Sequence, residues 1–163
     1  MNGLNSFEID THYMQLALDQ AKLAAEQDEV PVGAIIVLNN KLIAAAHNSQ
    51  IQLQNPTAHA EILAIEQAAQ ELQNYRLPGC SLYVTLEPCL MCVGAMIHAR
   101  IERLIYGASD PKSGMAETVD SQFDKSHHNH QVVVTGGVLA QQCGDVLRDF
   151  FRAKRQAQKS GEN

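Results

Sequence analysis

Apolar positions in this chain recur first at helical and then at strand spacing. Met14, Ala17, Leu18, Ala21 and Ala25 fall three or four apart, which predicts an amphipathic helix running from a cap at Asp10 or Thr11 to about Gln27. The apolar run over 30–38 predicts a buried strand. Asn39-Asn40 turns it back into a second strand over 41–47 as a hairpin. A polar loop over 48–57 ends at Pro56-Thr57, which offers a cap for a helix reaching about Leu72, with His59 and Glu61 in its first turn. After a loop over 75–79 comes a strand over 81–85. Pro88 suits the first turn of a third helix, over 89–99, because its missing N–H would be unpaired there anyway. A fourth strand over 103–106, a long polar segment over 107–131, a fifth strand over 131–134 and a closing helix over 138–158 follow. The last residues, about 159–163, read as a flexible tail. A helix, a hairpin and then alternating α and β predict the α/β class: a three-layer α/β/α sandwich around a mixed five-stranded sheet, as a single domain over 1–163.

Composition narrows the setting. The chain has 163 residues, 45% hydrophobic, enough for one core and without internal repeat or linker. No apolar run approaches the roughly 18 residues needed to cross a membrane, and the first eight residues lack the basic and apolar parts of a secretory leader. Cys80, Cys89, Cys92 and Cys143 do not form a disulfide framework, so a reducing cytoplasm fits. The formal net charge of −6 argues against indiscriminate coating of nucleic acid. The C-terminal helix departs from that balance. Arg148, Arg152, Lys154, Arg155 and Lys159 stand against Asp145 and Asp149, five minus two or +3, which taken alone reads as a solvated basic face.

The chemistry concentrates in two short motifs. His59-Ala60-Glu61 is answered thirty positions later by Pro88-Cys89-Leu90-Met91-Cys92. A lone C-x-x-C suits a redox pair or half of a structural zinc site, and a lone histidine near a helix start is most often a surface or satisfied core residue. Together they supply one imidazole and two thiolates, three ligands for a single Zn²⁺, with no fourth Cys or His close by. Three protein ligands leave the fourth tetrahedral position open to water, the mark of a catalytic rather than a structural site. Glu61, two residues from the first ligand, is placed to carry protons; the bland alternative is a carboxylate that merely complements a helix dipole. Cys80 and Cys143 read as small buried hydrophobes. His127, His128 and His130 could suggest a second metal but read as solvent- or RNA-facing.

H-x-E…P-C-x-x-C is the zinc nucleobase deaminase signature. Around it stand Glu29-Val30-Pro31-Val32-Gly33-Ala34, Asn55-Pro56-Thr57-Ala58, Gln73-Asn74-Tyr75-Arg76-Leu77, Leu82-Tyr83-Val84-Thr85-Leu86-Glu87, Gly94-Ala95-Met96-Ile97-His98-Ala99-Arg100-Ile101 and Phe150-Phe151-Arg152. With these the chain resembles the bacterial tRNA-specific adenosine deaminases over about 8–155. The resemblance implies a cytidine deaminase-like fold and one Zn²⁺ per subunit of a homodimer. It implies hydrolytic conversion of adenosine to inosine at the wobble position of a tRNA anticodon stem-loop. It places Asn48 and Val30 in the base pocket, and the backbone around Ala60 and Leu86 against the base or reacting group. Asp110 and Lys112 fall in a loop holding the flanking nucleotides, with Phe150, Phe151 and Arg155 nearby. Residues 117–128 depart from the family pattern. Free-base guanine or cytosine deaminases are the rival enzymes on the same fold. A catalytically silent RNA-binding subunit is the rival of another class, and Glu61 argues against it.

Overall fold

The computed structural model describes residues 3–161. Its first helix, α1, spans Ser6–Glu26 and so starts a turn before the expected cap. Asn5 and Glu8 exchange hydrogen bonds of 2.9 Å, each side chain accepting from the other's backbone N–H, which satisfies two donors that a helix start otherwise leaves orphaned. Asp10 is not a cap. It is buried, accepts from the Tyr83 hydroxyl at 2.8 Å and pairs with Arg103 at 2.9 Å.

The hairpin forms as expected from β1 (Gly33–Leu38) and β2 (Lys41–His47), with Asn39 and Asn40 at φ of 51° and 58°. β1 begins three residues into the apolar run. Pro31 has no N–H to give a ladder, and the Val32 N–H turns back onto the Val30 carbonyl at 2.8 Å. Val30 is therefore free of the sheet. The chain continues through α2 (Ala60–Leu72), β3 (Ser81–Leu86), α3 (Leu90–His98), β4 (Arg103–Ala108), β5 (Val133–Thr135) and α4 (Ala140–Lys159). Between β4 and β5 a 3-10 turn at Gln122–Asp124 buries Phe123, so the long polar segment is anchored to the core. Of the expected tail, Lys159 still belongs to α4, 160–161 form a turn, and 162–163 lie outside the described residues.

The sheet runs β2-β1-β3-β4-β5, with β1 antiparallel to both neighbours and the β3–β4 and β4–β5 pairs parallel. Strand periodicity sorts the core into two layers. Ala34, Ile36, Leu82, Val84 and Leu104 face α2 and α3, while Ile35, Val37, Tyr83 and Ile105 face α1 and α4. This is the mixed five-stranded α/β/α sandwich that the sequence predicts. Gly33 is required where α1 crosses β1, because a Cβ there would run into the Ala17 carbonyl and the Ala21 N–H. Ala60, Ala64 and Ala68 keep α2 similarly close to the sheet. The consequence is that the starts of α2 and α3 meet at the C-terminal end of β3.

Candidate active site

His59 does not sit in the first turn of α2, nor Cys89 in that of α3. Each is the N-cap of its helix, with extended backbone angles (φ −74°, ψ 151° and φ −78°, ψ 175°). Pro56-Thr57 cannot cap α2, because the Thr57 N–H and hydroxyl both turn back to the Asn55 side chain, at 3.0 and 2.8 Å. Pro88 likewise precedes the cap rather than opening the helix. Extended backbone swings the two cap side chains in front of the helix ends, where Cys92, in the first turn of α3, reaches the same point. Cys89 Sγ lies 3.8 Å from Cys92 Sγ and 3.7 Å from His59 Nδ1, and Cys92 Sγ lies 3.5 Å from that nitrogen. Tetrahedral coordination with ordinary zinc bond lengths requires roughly 3.8 Å between two sulfurs and roughly 3.6 Å between sulfur and nitrogen. The three donors already stand at those separations, so they fit such an ion. Among the described residues this is the one cluster that could hold a metal.

Protonation follows the crowding. The Cys89 thiol is pushed down to about 3, first by the hydrogen bond it receives from Cys92 and, against burial, by His59. Cys92 moves up because it supplies that bond and is buried. The hydrogen bond with Cys89 raises His59 against the effect of burial. The group thus holds a ready thiolate among shared protons that a cation would displace. Glu61 is only 3% exposed. Burial is the largest influence on its carboxyl and pushes it upward, against hydrogen bonds from its own N–H and from Cys92. A carboxyl raised toward neutrality beside three ligand atoms is suited to both taking and giving a proton.

Facing the cluster is a cavity of about 210 Å³ lined in part by Val30, Asn48, His59, Glu61, Leu86, Cys89 and Asp110. Asn48 reaches it because its side-chain oxygen accepts from the Ala60 N–H at 2.9 Å. That bond satisfies an orphan donor at the start of α2 and commits the Ala60 N–H, leaving the Asn48 amide nitrogen as the free end. Ala60 itself is buried.

Val30, Leu86 and Asp110 also border a second recess of about 330 Å³ with Lys112 and Phe151, and Lys112 and Phe151 border a third of about 480 Å³ with Arg148, Arg152 and Arg155. One groove therefore runs from the ligand cluster to the basic face of α4. Phe151 is 43% exposed on it, so it is not core packing, while Phe150 is half-buried under Lys154. The histidines of the divergent segment do not join the site. His130 Nε2 lies 2.7 Å from the Ile101 carbonyl oxygen, and the His127 and His128 rings lie against each other at a tilt of 48°, centroids 4.3 Å apart. Sequence reasoning missed Gln50, Glu87 and Ser113 as pocket residues and Arg148 as part of the groove.

A tRNA-specific adenosine deaminase of Bacillus subtilis (strain 168) is 45% identical over 151 residues, covering 93% of this chain and 94% of the relative. The chain belongs to this family of deaminases. The MafB19-like deaminase profile matches residues 8–155. Among solved structures, a chain from a study of A-to-I editing by tRNA:A34 deaminases at the wobble position superposes with a TM-score of 0.82 at 46% identity, over 84% of this chain and 99% of that one. A guanine deaminase from Bacillus subtilis shares the fold at a TM-score of 0.61 and 29% identity, over 94% and 95% of the two chains. The tRNA deaminases thus stand nearer than the free-base enzyme, and the divergence of 117–128 does not move the chain out of the family.

Proposed function

We propose that this enzyme hydrolytically deaminates adenosine to inosine at the wobble position of a tRNA anticodon, as a single deaminase domain. The observation that carries the reading is the open three-donor cluster facing a cavity that a buried carboxylate, Glu61, also lines. His59, Cys89 and Cys92 would hold Zn²⁺, one per subunit. The bound ion supplies a Lewis acid that makes an attacking water acidic near neutral pH. Glu61 takes the water proton, delivers it to the ring nitrogen beside the amine-bearing carbon, and serves again as ammonia departs. The C–O bond forms at the carbon where the C–N bond breaks, so no oxidant or second substrate is needed. Asn48 donates its free amide N–H to the base, Val30 and Leu86 flank the ring, and the Ala60 backbone holds Asn48 in place. Asp110, Lys112, Phe151 and Arg155 receive the flanking nucleotides along the groove.

The net charge of −6 does not oppose this, since the groove ends on Arg148, Arg152 and Arg155. No helix among the described residues is long and apolar enough to cross a membrane. A cytoplasmic location fits the thiol chemistry and the substrate. A homodimer fits Leu90, which stays exposed on α3 after Cys92, Val93, Met96 and Ile97 have packed inward. The experiment is incubation of the zinc-loaded chain with an anticodon stem-loop, free guanine or free cytosine, reading ammonia and base identity. Inosine and ammonia from the RNA alone are expected. Turnover of free guanine with an inert RNA would overturn the reading.

A further inference from the structure

The cavity contains a second buried carboxylate, and its hydrogen bonding separates it from Glu61. Glu87 is 2% exposed. Its Oε1 accepts from the Asp110 N–H at 3.1 Å and from the Thr118 hydroxyl, and its Oε2 accepts from the Glu117 and Thr118 N–H groups at 2.8 and 2.9 Å. A carboxylate offers about four acceptor sites, and here all four are taken. Glu87 therefore has no lone pair left for a substrate proton. Every donor comes from the segment that follows β4 and forms one wall of the cavity through Asp110 and Ser113. The wrap is close. A Cβ at Gly114 would collide with the Glu87 carboxylate. Asp110 passes the order on, accepting from the Lys112 and Ser113 N–H groups at 3.0 and 3.2 Å.

We propose that Glu87 is a positioning residue that pins the loop over 109–118 as a preformed wall of the substrate cleft. In the proposed deamination, on which this inference rests, it sets how tightly RNA is held without taking part in proton transfer. A preformed wall spares the substrate the ordering cost of the loop, so its loss falls on binding. A further buried carboxylate holds another lining segment: Glu29, also 2% exposed, accepts from the Ile51 and Gln52 N–H groups at 3.1 and 2.8 Å beside the pocket residue Gln50.

The test uses the zinc-loaded full chain with Glu87→Gln, Thr118→Val and Thr118→Ser. Glutamine sets an NH₂ group against backbone N–H donors, whereas valine removes a single hydroxyl and serine restores it. Glu87→Gln should speed amide exchange across 109–118 about tenfold or more and leave α2 unchanged. It should weaken stem-loop affinity, read by anisotropy apart from turnover, and raise KM by about tenfold, while kcat at saturation changes less than about threefold. Thr118→Val should move exchange and affinity in the same direction by less, and Thr118→Ser should match wild type. Unchanged exchange or affinity in Glu87→Gln overturns the proposal, as does a fall in kcat with KM intact. If Glu87→Gln does not fold, the Thr118 pair decides: equal valine and serine variants overturn it. A wild-type chain that binds RNA but releases no ammonia would sink the deaminase reading alone, leaving exchange and affinity to judge Glu87.

Discussion

Glu61 and Glu87 are both buried in one cavity, and what separates their roles is the number of donors each receives. Glu87 is saturated, while burial raises Glu61 and leaves it able to exchange a proton. Glu61→Gln should lower kcat by about 10²-fold or more while metal content and melting temperature stay near wild type. Ammonia release together with elemental analysis checks both halves of that statement. Another effect at this scale belongs to the two cysteines outside the cluster. Burial pushes the Cys143 thiol up to about 11, and burial together with Glu102 raises Cys80. Unfolded, both thiols ionise near 8.5. The unfolded state then gives up protons first as pH rises, so stability is intact below about pH 8 and falls between about pH 9 and 11. Urea midpoints measured against pH should show this decline, and Cys143→Ala should flatten it even though the truncation lowers stability overall.

At the scale of elements, the crossing of α1 over β1 is the tightest joint described. Gly33→Ala forces the helix off the sheet and should cost about 3 kcal/mol or more, visible as a large drop in melting temperature with the metal ligands untouched. The elements themselves were legible because their apolar spacing is local: the stripe of α1, the run of β1 and the Asn39-Asn40 turn each announce themselves within a few residues. The three residues that could hold a metal were legible as types at fixed spacing, and the fold brings them together. What the sequence hid was nonlocal. Asn5 outcompeted Asp10 as a cap because Asp10 is drawn inward by Arg103, ninety-three positions away. His59 and Cys89 became caps because Asn55 claims Thr57 and because both must face a common point. Glu29 and Glu87 resemble ordinary surface acids, since the N–H groups that hold them come from 22 to 31 residues downstream.

Across the whole molecule, charge is divided. An acidic body carries a groove whose far end is basic, so RNA binding should depend on a few residues. Lys154 is tied to Asp28, and Arg148 and Arg152 pair with Asp145 and Asp149 one turn away, while Arg155 has no carboxylate partner among the described residues. Exposed pairs of this kind are worth little and yield to phosphate. Replacing Arg148, Arg152 and Arg155 together by alanine should weaken stem-loop affinity and flatten its log–log salt dependence by about 2, roughly 0.7 per lost contact to a single strand. Turnover at saturating RNA should change far less. An unaltered salt slope would move the RNA path off this helix.

The same helix has another consequence, which concerns synthesis. α4 supplies Cys143 and Val146 to the layer that covers Ile105 and Tyr83, and it packs on α1. Until it emerges from the ribosome, α1 alone covers that face of the finished sheet, and the part over β4 that α4 would close stays open to chaperones and to other nascent chains. α4 also carries the basic end of the groove. If RNA follows the proposed path along that groove, completion of the fold and acquisition of the RNA surface are one event, and a prematurely terminated chain would be both sticky and poor at engaging its substrate.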